Sequence, residues 1–285
     1  MDWSDVVLLI LVIVILVLYL RLMRKNMRLR QMADEANRLR CEATEAERRN
    51  RQLKQEMTSN IAHELKTPVS SIRGYLEILL GDKPVDDERR RHYLQRSYSQ
   101  TLRLSDLIQD VSIINKLEES ADLFPHTAVD AAEVAREAIG DLADKAATVG
   151  ITVYNRLPSM PMNGNRELLY CIFRNLVENS ISYAGEGVAI VLESYEPIRT
   201  SDFRPSTTDF FYIHYYDTGK GVADEYLSRL FDRFVRIDEG RSRQNGGTGL
   251  GLSIVKHSVL FHGGEIYAKN RPEGGLEYFF SLKKI

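Results

Sequence analysis

Residues 57–69 read Met-Thr-Ser-Asn-Ile-Ala-His-Glu-Leu-Lys-Thr-Pro-Val, and the apolar side chains continue at helical spacing as Ile61, Leu65, Ile72, Leu76 and Leu79. Because each helical residue turns the chain by about 100°, these positions form one stripe and His63 lies on the opposite, solvent side. A lone histidine is usually a surface or core filler. Here, however, Glu64 can hold one ring nitrogen as N–H and leave the other as a neutral nucleophile, and Thr67 lies one turn on, on the same face.

The helix that contains this histidine is predicted to be the first arm of a helical hairpin. Pro68 removes the helical hydrogen bond to the Glu64 carbonyl and gives this turn a place to bend. The segment 81–84, Gly-Asp-Lys-Pro, is predicted to end the helix, and Asp86 to cap the next one. The second arm keeps helical apolar spacing at Leu104, Leu107, Ile108, Val111 and Ile114. Two such hairpins from two chains would close a four-helix bundle over residues 57–119.

The N-terminal end of the sequence is predicted to be a membrane anchor. Val6 to Leu20 is an unbroken apolar run within a stretch from Trp3 to Leu22, which as a helix would span about 30 Å, the thickness of the hydrocarbon layer. The alternative, a cleaved signal peptide, is disfavoured by the acidic start and by the absence of a small-residue cleavage site. The flank carries five basic residues without an acid, at Arg21, Arg24, Lys25, Arg28 and Arg30. The positive-inside rule then predicts a single-pass anchor over 1–22, with the N-terminus outside and the rest in the cytosol.

Residues 23–56 are predicted to form a parallel, two-chain coiled coil. The small and apolar residues alternate in steps of three and four, at Leu29, Met32, Ala36, Leu39, Ala43, Ala46, Asn50, Leu53 and Met57. A buried amide at the a-type position of Asn50 would fix register and dimeric state. Three seam positions are only alanine, so a solvated single helix remains the alternative.

From about residue 120 to 285 the pattern predicts mixed helices and strands. Asp130 and Glu133 form a capping box ahead of a helix predicted over 134–147. Further predicted elements are a strand over 151–154, a helix over 165–183, strands over 188–194 and 210–216 joined by a long loop over 196–209, and a helix over 252–261.

Two glycine clusters in this region predict a nucleotide site. They are Asp-Thr-Gly-Lys-Gly at 217–221 and Gly-Gly-Thr-Gly-Leu-Gly-Leu at 246–252, the second opening a helix. Each cluster alone is a weak signal, because loops are rich in glycine. The two clusters could bind different parts of a nucleotide. Glycines before a helix N-terminus let backbone N–H groups converge on phosphates, and Asp217 can accept from an exocyclic amine. Asn179, on the helix predicted over 165–183, can offer an oxygen to Mg²⁺.

Composition excludes several other classes of protein. Thirty-eight Lys and Arg against 40 Asp and Glu give a net charge of −2, which removes the whole-chain electrostatic case for nucleic-acid binding. The two cysteines, Cys41 and Cys171, lie far apart with no metal-ligand spacing, so neither a disulfide framework nor a zinc site is indicated.

At this point the sequence resembles the sensor histidine kinases of two-component systems, from near Met57 to the C-terminus. Five motifs stand in the order of that family: 63–68 resembles the H box, 175–179 the N box, 217–221 the G1 box, 230–234 the F box and 247–251 the G2 box. The resemblance implies an α+β multidomain chain. After the predicted transmembrane helix and coiled coil, it would have a dimeric helical-hairpin domain and then an α/β sandwich ATP-binding domain of the kind shared with gyrase, Hsp90 and MutL.

The resemblance also implies roles for individual residues. His63 would accept the phosphoryl group, Glu64 would be its acid/base partner, and Thr67 would act in dephosphorylating the response regulator. Asn179 would hold Mg²⁺, Asp217 would contact adenine, and the remaining ATP-binding positions would be Asn175, Tyr183, Gly219, Gly221, Phe231, Phe234, Arg241, Arg243, Gly247, Thr248, Gly249, Leu250 and Gly251. Implied partners are ATP, Mg²⁺, a second copy of the chain, a cognate response regulator, the bacterial cytoplasmic membrane and, for the signal, a possible membrane protein.

Two departures from the family pattern bear on ATP affinity: Ser182 stands where many relatives have lysine, and Asn165 where aspartate is common. Asn175 stands where related ATPases place the glutamate that activates water, and an asparagine cannot act as that base. Transfer to histidine is therefore favoured over two rivals, a hydrolytic or chaperone-like ATPase and a catalytically silent signalling scaffold.

Overall fold

The computed structural model describes residues 3–119, 123–195, 209–237 and 247–284, and in the first helix the side chains of residues 3–15 and of several later positions are not described. Contacts divide the chain into two units, Met1–Ser59 and Asn60–Ile285. Helix α1 (Trp3–Leu80) includes the residues of the predicted anchor and coiled coil. Within the described part, no helix has both the length and the apolar character needed to cross a bilayer. The side chains of residues 3–15 and of Asn50 are not described, so anchor and coiled coil stay predictions.

In the second unit, the hairpin is confirmed. Helix α1 ends at Leu80 and helix α2 spans Asp87–Glu119. Asp86 caps α2 as predicted, because its Oδ1 accepts from the Arg89 amide at 2.8 Å. Leu107 and Ile114 of the predicted stripe are buried, whereas Ile108 is 57% exposed.

The rest of this unit is an α/β sandwich. A five-stranded sheet has the order β2 (Thr152–Arg156), β4 (Ala189–Ser194), β5 (Phe210–Asp217), β7 (Leu276–Lys283) and β6 (Ile266–Asn270). Strands β2 and β4 are parallel and the other neighbours antiparallel. Strands β1 (Thr127–Asp130) and β3 (Pro161–Gly164) form a separate antiparallel pair.

Helices pack on one face of the five-stranded sheet. The three longer helices are α3 (Ala131–Asp141), α5 (Arg166–Tyr183) and α7 (Gly251–Phe261). Two short helices, α4 (Ala143–Thr148) and α6 (Asp224–Leu227), follow α3 and β5 in the chain. Alternate residues of β5 and β7, such as Ile213, Tyr215, Tyr278 and Phe280, face the helices and are buried with them. The result is a continuous core between sheet and helices, with Asp217 at the end of β5.

One helix prediction was wrong. A single helix was expected over 134–147, but the chain leaves helical geometry at Leu142, where φ is −101° and ψ is 1°, and α4 begins after it. Leu142 is buried in the sandwich core, so tertiary packing overrides the local helical pattern. The break brings Lys145 of α4 to 2.5 Å from Glu178 of α5.

Candidate functional site

The predicted phosphoacceptor lies on the accessible side of α1. His63 is exposed, as the apolar stripe predicts, while Ile61 and Leu65 are half-buried. The Thr67 hydroxyl, one turn on, donates to the His63 carbonyl at 3.3 Å. Pro68 is buried within the helix at the end of the same turn. The histidine ring is therefore reachable from solvent, with Thr67 held beside it.

In the structure Glu64, expected to pair with the histidine ring, contacts two arginines. Oε2 of Glu64 lies 3.3 Å from Nη2 of Arg103 on α2 and 2.8 Å from Nη2 of Arg236, which follows the F box. Neighbouring residues on a helix point about 100° apart, so Glu64 turns toward the sandwich while His63 turns away from it. In this arrangement the carboxylate is bound to two guanidinium groups rather than to the imidazole.

A cavity of about 550 Å³ lies between the glycine clusters and α5. Its volume is in the range of small-molecule sites. It brings together nine of the residues predicted to bind ATP, namely Asn175, Asn179, Tyr183, Asp217, Gly221, Gly247, Thr248, Gly249 and Gly251. Apart from Tyr183 at the end of α5, these residues come from three motifs that are distant in sequence, so the fold unites the predicted N, G1 and G2 boxes in one site.

Asp217 forms a buried polar anchor of this cavity. It is 3% exposed, and its two oxygens accept from the Ser180 hydroxyl at 2.8 Å, the Gly219 amide at 2.9 Å and the Leu276 amide at 3.3 Å. These bonds fix the orientation of the carboxylate before any ligand arrives. A fixed carboxylate at the cavity wall can accept from an exocyclic amine, as an adenine contact requires.

The two asparagines of α5 present different groups. Asn179 donates through Nδ2 to the Tyr278 hydroxyl at 3.1 Å, which leaves its amide oxygen as the acceptor for a cation. Asn175 donates through Nδ2 to the Cys171 carbonyl at 2.8 Å, and a side chain on Gly251 would meet Asn175 Oδ1 at 2.6 Å. The donor set at Asn179 fits Mg²⁺ held jointly with nucleotide phosphates.

The G2 loop is bonded to the F-box turn. The Phe234 amide donates to the Gly249 carbonyl at 2.8 Å, and Phe234 has a φ of 60°, which is unfavourable for a bulky residue. Gly249 has a φ of +72°, and a Cβ there would lie 2.9 Å from the Phe234 Cα. Close backbone approach therefore requires glycine at this position.

Four of the described residues predicted to bind ATP lie outside the cavity lining: Gly219, Phe231, Phe234 and Leu250. Gly219 packs against the end of α5, where a Cβ would meet the Ala184 carbonyl at 2.4 Å. Phe231 packs its ring edge against Tyr278 in the core, and Leu250 is fully buried before α7. These residues shape the site from behind, whereas Arg241 and Arg243 fall outside the described residues.

Asn165 caps helix α5 and does not line the cavity. Its Oδ1 accepts from the Leu168 amide at 3.0 Å, and its Nδ2 donates to the Pro125 carbonyl at 3.1 Å. Ser182, by contrast, lines the cavity. Of the two departures from the family pattern, only Ser182 can bear directly on nucleotide contacts.

Sequence reasoning missed several charged residues that line the cavity: Asp106, Asp110, Lys145, Arg174 and Arg236. Asp106 and Asp110 belong to α2, and Asp110 accepts from the Thr248 hydroxyl of the G2 loop at 2.9 Å. Burial raises the pKa of Asp110 to about 6, while the Thr248 hydrogen bond and Arg174 oppose that rise. No local motif marks Asp106 and Asp110, because they reach the cavity only when the hairpin packs against the sandwich.

Comparisons with known proteins agree with the geometry. Residues 53–120 match the family model described as the His Kinase A (phospho-acceptor) domain, and residues 164–284 match the Histidine kinase-, DNA gyrase B-, and HSP90-like ATPase. The sensor-like histidine kinase SenX3 of Mycolicibacterium smegmatis is 30% identical over 250 residues, which are 87% of this chain and 60% of that protein. The signal transduction histidine-protein kinase BaeS of Escherichia coli is 29% identical over 235 residues, or 82% of this chain and 48% of BaeS. The chain thus spans about half to three-fifths of the length of these curated relatives.

Solved structures share the fold. The Acinetobacter baumannii histidine kinase AdeS superposes with a TM-score of 0.56 at 22% identity, covering 78% of this chain and 96% of that one. Histidine kinase ThkA, in complex with response regulator protein TrrA, gives a TM-score of 0.61 at 22% identity, covering 81% of this chain and 61% of that one. At this identity the likeness is evidence for the arrangement of helices and strands alone.

Proposed function

Because this chain belongs to the sensor histidine kinase family of two-component systems, we propose that it transfers the γ-phosphoryl group of ATP to His63 and then to an aspartate of a separate response regulator. One observation supports this most directly. Arg236 lines the nucleotide cavity and also contacts Glu64, the residue next to the exposed His63. The cavity and the phosphoacceptor turn are therefore neighbours within one chain.

The residues of the site divide the work of the proposed reaction. Asp217 would select adenine, the glycines of the G2 loop would let backbone N–H groups approach the phosphates, and Glu64 would take a proton from the His63 ring as the N–P bond forms. Asn179 would hold Mg²⁺, which when bound supplies charge neutralisation on the phosphates. Phosphoryl transfer proceeds through a loose transition state, so positioning and charge neutralisation supply most of the catalysis.

The active form is proposed to be a homodimer. A groove on α1 is lined by Val69, Ile72, Leu76 and Leu80. Leu76 is 41% exposed and Leu80 84% exposed in the single chain. A second hairpin packed here would bury these side chains and complete a four-helix bundle.

Membrane attachment is proposed from the sequence. The apolar run that ends at Leu20 and the basic flank that follows it would hold a single-pass anchor, with the catalytic part in the cytosol. The coiled coil would then transmit a stimulus from the bilayer, a membrane protein or the cytosol. Phosphatase activity toward the response regulator is proposed for Thr67, whose hydroxyl lies beside His63.

Incubation with γ-labelled ATP tests the proposal. The full chain should acquire an acid-labile, base-stable label, and His63→Gln should abolish that label while ATP binding persists. Release of free phosphate without protein labelling would instead identify a hydrolytic ATPase, and neither product would identify a silent scaffold. A label that survives in His63→Gln would refute the assignment of the phosphoacceptor.

A further inference from the structure

The carboxylate of Glu64 is shared by two arginines from different parts of the fold. Arg103 approaches from α2 and Arg236 from the turn after the F box, at 3.3 and 2.8 Å from the same oxygen. All three side chains are largely buried, with exposed fractions of 19% for Glu64, 15% for Arg103 and 13% for Arg236. Partial burial makes such a charge-assisted contact stronger than a surface ion pair.

Arg236 also belongs to the nucleotide cavity. Its guanidinium donates to the Gly247 carbonyl at the start of the G2 loop, and the side chain lines the cavity beside Tyr183. Burial raises the pKa of Tyr183, and the nearby charges of Arg236 and Arg103 oppose that rise. The phenol therefore stays neutral and does not offer Arg236 a second anion.

A nucleotide would compete with Glu64 for this guanidinium. A carboxylate carries a single negative charge, whereas a triphosphate carries several and offers the bidentate oxygen pairs that a guanidinium fits best. Arg103 lies on α2 and is not part of the cavity lining, so it would stay with Glu64 when Arg236 leaves. The two arginines therefore differ: Arg103 has Glu64 as its acceptor with or without nucleotide, whereas Arg236 can exchange Glu64 for the phosphates.

We propose that Arg236 is a positioning residue that withholds Glu64 from His63 in the empty enzyme and releases it when nucleotide phosphates take the guanidinium. This inference rests on the proposed function. With Arg236 bound to phosphate, Oε2 of Glu64 regains a free lone pair and can turn to the His63 ring under the control of Arg103. The base thereby becomes available only when the phosphoryl donor is in place.

The chemical step balances without a further reactant. The bond between the γ-phosphorus and the bridging oxygen breaks, its electron pair stays on ADP, and a ring nitrogen of His63 forms the new N–P bond. The proton on the other ring nitrogen passes to Glu64. Arg236 and Arg103 exchange no proton in this step, since guanidinium stays protonated in proteins.

Competition for Arg236 predicts a measurable linkage between Glu64 and nucleotide affinity. If the pair is formed in about nine tenths of empty molecules, only about one tenth can offer Arg236 to phosphate, and removal of the carboxylate tightens binding about tenfold. Glu64→Gln should therefore bind a non-hydrolysable ATP analogue with Mg²⁺ about five- to tenfold more tightly than wild type, measured calorimetrically on the full chain. Arg236→Gln should bind more weakly, and Glu64→Gln should give no tightening in that background.

Two further variants separate coupling from general effects on structure. Arg236→Lys keeps a positive charge that can pair with either anion, so Glu64→Gln should again tighten binding in that background. Glu118→Gln removes an ion pair between α2 and Arg233 without touching Glu64, and should leave analogue affinity within about twofold of wild type.

Unchanged or weaker affinity in Glu64→Gln would overturn the inference, as would tightening of equal size in the Arg236→Gln background. A wild-type chain that binds no analogue would refute the proposed function itself, and the inference with it. A chain that binds the analogue but shows no linkage would refute only the role of Arg236.

Discussion

His262 makes the stability of the sandwich depend on pH with a predictable sign. The ring is 3% exposed; its Nε2 accepts from the Asn165 amide at 3.0 Å, and its Nδ1 donates to the Ser258 carbonyl at 2.7 Å. The neutral tautomer satisfies both partners, so protonation would place a second donor against the Asn165 N–H. Burial accordingly lowers the pKa of His262 from 6.5 to about 4.

The loss of unfolding free energy at low pH follows from the difference between the pKa values of His262 in the folded and unfolded states. A depressed folded-state pKa gives stability that is present above the unfolded value of 6.5 and is lost as pH falls toward about 4. Between pH 7.5 and 5.5 the unfolded state gains nearly one proton that the native state does not bind, which costs about 1.4 kcal/mol. Over the whole window the loss approaches about 3 kcal/mol.

Hydrogen exchange of peptides from α5 and α7 in the full chain measures this loss locally. The opening free energy should fall by about 1.4 kcal/mol from pH 7.5 to 5.5 after correction for intrinsic exchange. His262→Gln keeps one acceptor and one donor without titrating, so most of that fall should disappear. Equal opening energies at both pH values in wild type, or an undiminished fall in His262→Gln, would refute the reasoning.

Four other substitutions have expected outcomes. Asn179→Ala should weaken Mg-nucleotide binding about ten- to a hundredfold in calorimetry with little change in melting temperature. Thr67→Ala should slow dephosphorylation of the response regulator more than autophosphorylation, and equal losses would contradict a distinct role. Gly249→Ala forces a Cβ to 2.9 Å from the Phe234 Cα at a φ of +72°, so it should destabilise the sandwich by about 1–3 kcal/mol in thermal unfolding. Asp110→Asn should stabilise the chain at pH 8 and have little effect below pH 4, because a pKa raised from 3.8 to about 6 means that stability is lost as pH rises across that interval.

Elements with a local signal were predicted well from the sequence. The helix predicted over 165–183 matches α5 within a residue at its start and ends with it at Tyr183, and the structure shows Asn165 as its N-cap. The cap at Asp130 was also predicted, and its Oδ1 accepts from the Ala132 amide at 2.9 Å. In each case the decisive contact is made within a few residues of chain, where side-chain chemistry acts directly on the backbone.

Contacts between distant segments could not be predicted in the same way. The break at Leu142 depends on burial in the core, and the Arg236–Glu64 contact joins residues 172 positions apart. The sequence motif also predicted that Glu64 pairs with the imidazole of His63. Their adjacency in sequence gives no information about Arg236, which contacts Glu64 from the sandwich. Motifs therefore predicted which groups take part, whereas packing determines which partner each group contacts.

The short stretch from Arg233 to Arg236 belongs mechanically to both halves of the enzyme. Phe234 is tied by its amide to the glycine loop, while the arginines on either side of it are bonded to Glu118 and Glu64 in the hairpin. A shift of the loop would move the peptide plane at Phe234 and, through the two guanidinium groups, displace Glu118 on α2 and Glu64 on α1. Through these two ion pairs, the position of the hairpin helices would depend on the position of the glycine loop, even though neither ion pair needs to contact ATP.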